Sequence, residues 1–325
     1  MHETTIWTDA ERAPLVSSIL EVMGELIGPI GIGGPRTAEV DDLARFLNCP
    51  REDDLRKLAV ERPAAFMLLA ARQPILPEEL AIITDQATTV LTIEPLAADF
   101  AESNTIEGVL HNTNWDQCLI QIPAFQQSPG FLAAFESNDL LGHEYLLNFD
   151  SCGRRECGSL FARLFDAWQA VLKLTDLPDQ IDASVTGPFT TPPDDLCQLS
   201  GRMAVHARFA GDCAAVLTIS DQSFVTRRHL HVVGTEAELC IDDWCCEMQL
   251  LDDSVEDRVE QTSADSAFVD LIGAQWRRLL DRPAGTHNQN PPDHHALALA
   301  CCLTCLLSTR TGQPESPRNL LAMNR

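Results

Sequence analysis

The chain has 325 residues, enough for two cores rather than one, and its 45% hydrophobic content excludes a largely disordered polymer. Its formal charge of −25 comes from a shortage of cations, 23 lysines and arginines against 48 acids, with lysine only at Lys57 and Lys173. Such a surface repels phosphate backbones and anionic headgroups, so nucleic-acid and membrane-surface roles are disfavoured.

The opening MHETTIWTDAERAP holds three acids and no basic-then-apolar pattern, so no secretory signal is expected. No run of about 18 uncharged apolar residues suggests a membrane span. The twelve cysteines are expected as thiols in a cytoplasmic setting, since adjacent pairs such as Cys245–Cys246 and Cys301–Cys302 fit a disulfide framework poorly.

In chain order, the first third alternates short apolar runs with helical patterns, as a parallel sheet with crossover helices requires. Residues 4–8 read as a first strand and 14–26 as the amphipathic helix after it. Residues 27–32 read as a second strand ending at Gly33 and Gly34, and 37–47 as a helix opened by Thr37. The continuous apolar run 64–70 (AAFMLLA) predicts a buried strand. A helix over 77–86 opens with Pro77 and two glutamates, and the β-branched run 88–93 (TTVLTI) predicts another strand.

The middle changes character. Residues 158–174 (GSLFARLFDAWQAVLKL) carry the clearest amphipathic helix pattern. Strand patterns follow at 180–186, 201–209, 213–220, 228–233, 238–242 and 247–251, and their short turns imply an antiparallel sheet with helices on one face. Loops rich in proline occupy 186–195 and 282–293, and a helix over 294–307 precedes a turn and a short helical tail. The expected organisation is a Rossmann-like α/β domain over 1–120 and a larger antiparallel α+β open-sheet domain over 121–325. The C-terminal stretch 294–325 is expected to pack back on the first domain.

The stretch LSGRMAVHARFAGDCAAVLTISDQ, followed by RRHLHVVGTEAELCIDD, resembles the sheet domain of the glucose–fructose oxidoreductase / inositol dehydrogenase family. The ending LLSTRTGQPESPRNLLAM is similar to that family's last helix and tail, and TTVLTIEPLA to the strand that ends in its Glu-Lys-Pro signature. GSLFARLFDAWQAVL is similar to the helix that carries an aspartate and, four residues on, a histidine. The resemblance implies a Rossmann domain, an antiparallel substrate domain, NAD or NADP as cofactor, and oligomers that pack through open sheets.

The residues that would do this chemistry are replaced. A dinucleotide site needs glycines just after the first strand, so that the backbone can approach the pyrophosphate at a helix N-terminus. Here the loop reads Asp9-Ala10-Glu11-Arg12-Ala13-Pro14, with no glycine before Gly24. Asp9 and Glu11 put negative charge where phosphates would lie, opposed only by Arg12, and the loop reads as a plain strand–helix turn. A rival phosphate loop, Gly31-Ile32-Gly33-Gly34-Pro35-Arg36, lacks its third glycine and leaves too little chain before Pro95 for the usual strand–helix units. By the resemblance, Glu94 stands where the family has its lysine, which reverses the charge beside the reacting hydroxyl. Ala162 and Asp166 stand where the family has its aspartate and histidine, leaving one carboxylate of the pair. Glu94 or Asp166 as a relocated base requires a pKa raised by burial. Arg163, beside them, is expected at a surface or interdomain contact.

Elsewhere, His294, Ala298, Cys301 and Cys305 form one helical stripe that matches no closed metal motif and reads as core, so no metal is expected. His206, His229 and His231 fall on predicted strands and are expected to pack along the open sheet. Trp276-Arg277-Arg278 reads as a helix with an exposed basic edge. Joint loss of the phosphate loop, the lysine and the Asp/His pair points to abandoned catalysis. The expectation is therefore a non-catalytic homologue without cofactor, forming a homo-oligomer or pairing with a related oxidoreductase through the open sheet. Two other readings stay open: an NAD(P)-dependent sugar or polyol oxidoreductase using Asp166 or Glu94, and a cofactor-free sugar-binding protein.

Overall fold

The structure, a computed structural model, describes residues 1–73, 75–86, 88–110, 119–135, 141–142, 146–250, 255–259, 268–281 and 292–323. The chain divides into two compact units, Met1–Pro123 with Ala267–Pro292, and Ala124–Ser266 with Asp293–Arg325.

The first unit is built on a six-stranded parallel sheet. Its strands are β1 (His2–Trp7), β2 (Ile27–Gly33), β3 (Arg51–Glu52), β4 (Phe66–Leu69), β5 (Thr89–Thr92) and β6 (Leu119–Gln121), in the order β3-β2-β1-β4-β5-β6. Every neighbouring pair is parallel, so each connection is a crossover. The crossovers carry α1 (Ala13–Met23), α2 (Ala38–Phe46), α3 (Leu55–Glu61), α4 (Pro77–Asp85) and α5 (Phe100–Leu110). Leu15, Val16, Ile19, Leu20 and Met23 of α1 recur at helical spacing and are all buried. The Thr37 hydroxyl accepts from Val40 N, so α2 is capped where the sequence predicts. Met67, Leu68 and Leu69 are buried on both faces of the sheet, which explains the unbroken apolar run.

The later segment α8 (Phe268–Leu280), numbered after two helices of the second unit, also belongs to this unit. It approaches α1 closely enough that a Cβ on Gly273 would meet Val22 at 2.6 Å. Trp276 is fully buried near Phe66, and Arg277 donates to the Val22 carbonyl, so only part of the expected basic edge faces solvent.

The second unit carries an eight-stranded sheet ordered β14-β13-β12-β11-β7-β10-β9-β8. The strands are β7 (Leu146–Arg154), β8 (Gln180–Thr186), β9 (Arg202–Arg208), β10 (Ala214–Ser220), β11 (Gln222–Val233), β12 (Ala237–Asp242), β13 (Cys246–Leu250) and β14 (Val255–Val259). The expected antiparallel sheet is present with one parallel pair, β10 with β7, while the other neighbours are antiparallel. The sequence reading lacked β7 and the first half of β11, although β7 is a central strand. One face of this sheet is buried, as the alternation of Met203, Val205 and Ala207 or Ala215, Leu217 and Ile219 shows.

Against that face lie α6 (Pro129–Phe135) and α7 (Leu160–Leu174), while α9 (Pro292–Thr311) and α10 (Pro317–Met323) close the chain. Ser159 caps α7 through Ala162 N at 3.0 Å, and Phe161, Leu164, Phe165, Trp168 and Val171 are buried. Each such side chain contributes roughly 1.5–3 kcal/mol. The sheet edge at β8 is covered by the tail: Ile181 and Glu315 exchange backbone hydrogen bonds at 2.8 and 2.9 Å. The C-terminal stretch 293–325 lies in this second unit. Among the described residues, no helix is long and apolar enough to cross a membrane.

Candidate functional site

Open parallel sheets bind ligands beyond the carboxyl ends of their strands, where the strand order reverses. In the six-stranded sheet that point lies between β1 and β4. Here it is laced by the chain's own hydrogen bonds. The Trp7 carbonyl accepts from Ala70 N at 2.8 Å and Ala71 N at 3.2 Å. The Asp9 carboxylate accepts from Arg12 N through Oδ1 (3.0 Å) and from Arg72 N through Oδ2 (2.8 Å). Its main-chain carbonyl takes Ala13 N at 3.0 Å, and Pro14 has no N–H to offer.

A helix N-terminus attracts anions because its first N–H groups lack partners. At the start of α1 the Arg12 and Ala13 N–H groups are held by Asp9, so a phosphate approaching them would have to displace groups already in place. Ala10 is half-buried and offers nothing to a ligand beyond its backbone. Glu11 points to the surface and pairs with Arg72, 3.3 Å away. Arg12 is fully buried: its Nη1 donates to the Ala70 carbonyl at 2.8 Å and its Nη2 forms an ion pair with Glu94. Arg12 and Glu94, 82 positions apart, thus tie the first turn to the end of β5.

The rival glycine loop has another purpose. A Cβ on Gly33 would meet the Trp7 ring at 2.4 Å, and one on Gly34, at φ +151°, would meet the Thr8 carbonyl oxygen at 1.9 Å. Both glycines let β2 approach β1 and Trp7. Arg36 pairs with Asp53 on the surface and holds that carboxyl below its ordinary value.

In the second unit, Asp166 sits on the buried face of α7. Phe125 N donates to Oδ1 at 2.7 Å and Arg228 Nη1 donates to Oδ2 at 2.8 Å. Arg228 is buried, reaches Asp243 through Nε at 2.9 Å and lies 5.4 Å from the Phe125 ring centroid. Burial pulls the Arg228 pKa down, but Asp243 and Asp166 outweigh it and hold the guanidinium charged. Burial pushes Asp243 up, opposed by Arg228. Ala162, one turn before Asp166, is buried and presents only a methyl group. Arg163 is not at a surface, contrary to the sequence reading. Its residue is 5% exposed, and it inserts over Gly153, where a Cβ would meet its Nη2 at 2.3 Å.

No family model matches the sequence, and no curated protein matches it. Solved structures do. Myo-inositol 2-dehydrogenase from Lactobacillus plantarum superposes with a TM-score of 0.70 at 12% identity, over 97% of this chain and 99% of that one. An oxidoreductase from Agrobacterium radiobacter, solved with NAD+, L-tartaric acid and magnesium, gives 0.73 at 9% identity over 98% and 99%. Levoglucosan dehydrogenase with NADH and L-sorbose gives 0.72 at 10% identity over 97% and 99%. The chain has the inositol dehydrogenase fold.

Within this fold, the sequence singled out Asp9, Ala10, Glu11, Arg12 and Glu94, and the structure brings Asp9, Arg12 and Glu94 into one network. It places Ala162 and Asp166 one turn apart on α7, as the spacing requires. Phe125 and Arg228, which engage Asp166, and Asp243, which shares Arg228, escaped sequence reasoning. An arginine at the first position of the expected strand 228–233, Arg228, was the one signal available. His206, His229 and His231 lie on the half-exposed face of the eight-stranded sheet, and His231 Nε2 is 3.5 Å from Glu238. Ala298, Cys301 and Cys305 are fully buried core, with the cysteine thiols pushed up by burial. Among the described residues, no three His, Cys, Asp or Glu side chains gather to hold a metal.

Proposed function

We propose that this protein is a non-catalytic relative of the NAD-dependent sugar and polyol oxidoreductases whose fold it has, one that works through association and without a dinucleotide. The observation that carries this reading is the closure of the first strand–helix turn: Asp9 holds Arg12 N and Arg72 N, and Arg12 is sealed against Ala70 and Glu94. The general base supports it too. Both oxygens of Asp166 are engaged, one by a backbone N–H and one by a buried guanidinium, and the residue is buried, so the carboxylate is committed within the core.

Association is assigned to the half-exposed face of the eight-stranded sheet. Among the described residues, that face carries both charge signs in near balance, with Leu146, Phe224 and Val225 exposed on the same strands. Arg154, Arg202, Arg208 and Arg227 face five acids of β7, β8, β12 and β13, in a chain with 23 cations and 48 acids. Two copies of so acidic a protein repel one another except where a face carries both signs, and this face does. A second copy, or a relative with the same sheet, is the partner that fits.

Sedimentation of the purified chain tests association. A dimer that Arg208→Glu combined with Arg227→Glu dissociates is expected; a monomer at every concentration would remove this half of the proposal. A crystal grown with dinucleotide whose density lay along Asp9–Pro14, with the nicotinamide beside Glu94, would restore the oxidoreductase reading with Asp166 or Glu94 as base.

A further inference from the structure

We propose, resting on the association assigned above, that the partner is a second copy of this chain docked about a two-fold axis along the strands. The axis runs over the seam between β11 and β7, so the β9 arginines of one copy meet the β12 and β13 acids of the other. The half-exposed face is not charged evenly. Among its described side chains, the arginines are confined to β7, β9 and β11. β12 and β13 carry Glu238, Asp242 and Glu247 and no cation, while β9 carries Arg202 and Arg208 and no acid. The two signs thus sit on opposite flanks of the eight-strand order, whose midpoint is the β11–β7 seam.

Eight strands about 4.8 Å apart and about 20 Å long present on the order of 800 Å², one partner's share of a standard interface. Sheets packed face to face keep their strands within about 30° of alignment and lie about 10 Å apart. A self-complementary contact then has its axis either across the strands or along them. An axis across lays each strand on itself, acid on acid at Glu238 and Glu247 and arginine on arginine at Arg202 and Arg208. Facing side chains interdigitate, so these like charges would come within the screening length of about 8 Å and repel. An axis along the strands at the midpoint instead exchanges β9 with β13 and β10 with β12. Arginine then meets acid.

The strand registers sharpen this match, because an axis along the strands sets each cross-strand row opposite itself. One row holds Arg208 on β9, Glu238 on β12 and Gln249 on β13. Arg208 of one copy therefore comes over Gln249 of the other, with Glu238 one strand away, about 4.8 Å. The next row brings His206 over Glu247, and the one after it brings Asp150 over His229. Cys152 and Arg227 pair across the seam in the fourth row and flank the axis. The half-exposed Cys152 thiols of two copies thus stand one strand apart. Those of Cys240 on β12 stand three strands apart, about 14 Å before the gap between sheets is added.

Two measurements on the full chain test this arrangement. A short bismaleimide should join wild-type chains into a covalent dimer on denaturing gels, lost in Cys152→Ser and kept in Cys240→Ser. In sedimentation, Arg202→Glu with Arg208→Glu should raise the dimer Kd about tenfold. Glu238→Arg with Glu247→Arg should do the same, although it lowers the net negative charge of the chain. The chain carrying all four substitutions should return to within about threefold of the wild type. A dimer that lacks the Cys152 cross-link, paired reversals without effect, or a four-substitution chain as weak as either pair would overturn the arrangement and leave association standing. A monomer at every concentration would remove both.

Discussion

Each unit buries one arginine in contact with a carboxylate at the place where this fold's chemistry is expected, yet the two pairs differ in kind. Arg12 in the first unit has one carboxylate, Glu94, which keeps 14% of its side chain in solvent, and one backbone carbonyl. Arg228 in the second unit has two carboxylates, Asp166 at 6% and Asp243 at 17%, and an aromatic ring alongside. The first pair is a strut that fastens a loop at the mouth of a sheet. The second is part of the packing between a helix and the buried face of another sheet. Fastening a turn at the mouth of a sheet needs only a local tie, whereas burying a carboxylate inside a core needs full charge compensation, because a lone buried carboxylate is costly.

Arg228→Met sharpens that contrast most. It leaves Asp166 and Asp243 without their cation, and denaturant unfolding should show a loss of about 3–5 kcal/mol. Arg12→Ala removes charged hydrogen bonds at a partly solvated site and should cost about 2 kcal/mol in the same measurement. Equal losses would break the distinction between strut and core.

A third effect separates the units by pH. His295 in α9 packs its ring 4.8 Å from Phe165, keeps partial exposure, and has its pKa lowered by burial to about 4. An unfolded histidine titrates near ~6.5, so between these values the unfolded chain binds the extra proton. The contribution is complete above the unfolded value and is lost as pH falls toward about 4. Acid should therefore weaken the second unit by on the order of 2 kcal/mol across that window. His295→Phe should flatten the slope; an unchanged slope would remove His295 from the explanation.

The strand–helix order of the first unit was legible because each element obeys its own period: α1 shows the helical stripe, and β4 and β5 are short apolar runs. β7 was hidden. Its inward residues are Leu147, Phe149, Ser151 and Gly153, so the apolar alternation stops halfway. The physical reason is the arginine layer above it, since Arg163 occupies the space over Gly153, and Arg228 is the β11 partner of Ser151. The first half of β11 escaped for a different reason: Phe224 and Val225 are 82% and 60% exposed, so no buried face disciplines its pattern. In the candidate site, the missing glycines and the reversed charge at Glu94 could be read from local sequence. The Arg12–Glu94 tie, spanning 82 positions, and the Arg228–Asp166 tie, spanning 62, could not, because only the folded chain brings such residues together.

Isothermal titration of the purified chain with NAD and with NADP is the most direct test of the closed turn. No saturable heat is expected up to millimolar dinucleotide, because Asp9 holds the Arg12, Ala13 and Arg72 N–H groups and Arg12 is committed to Ala70 and Glu94. Binding in the micromolar range, weakened by Arg12→Ala, would contradict this and make the protein a dehydrogenase with a rebuilt phosphate loop.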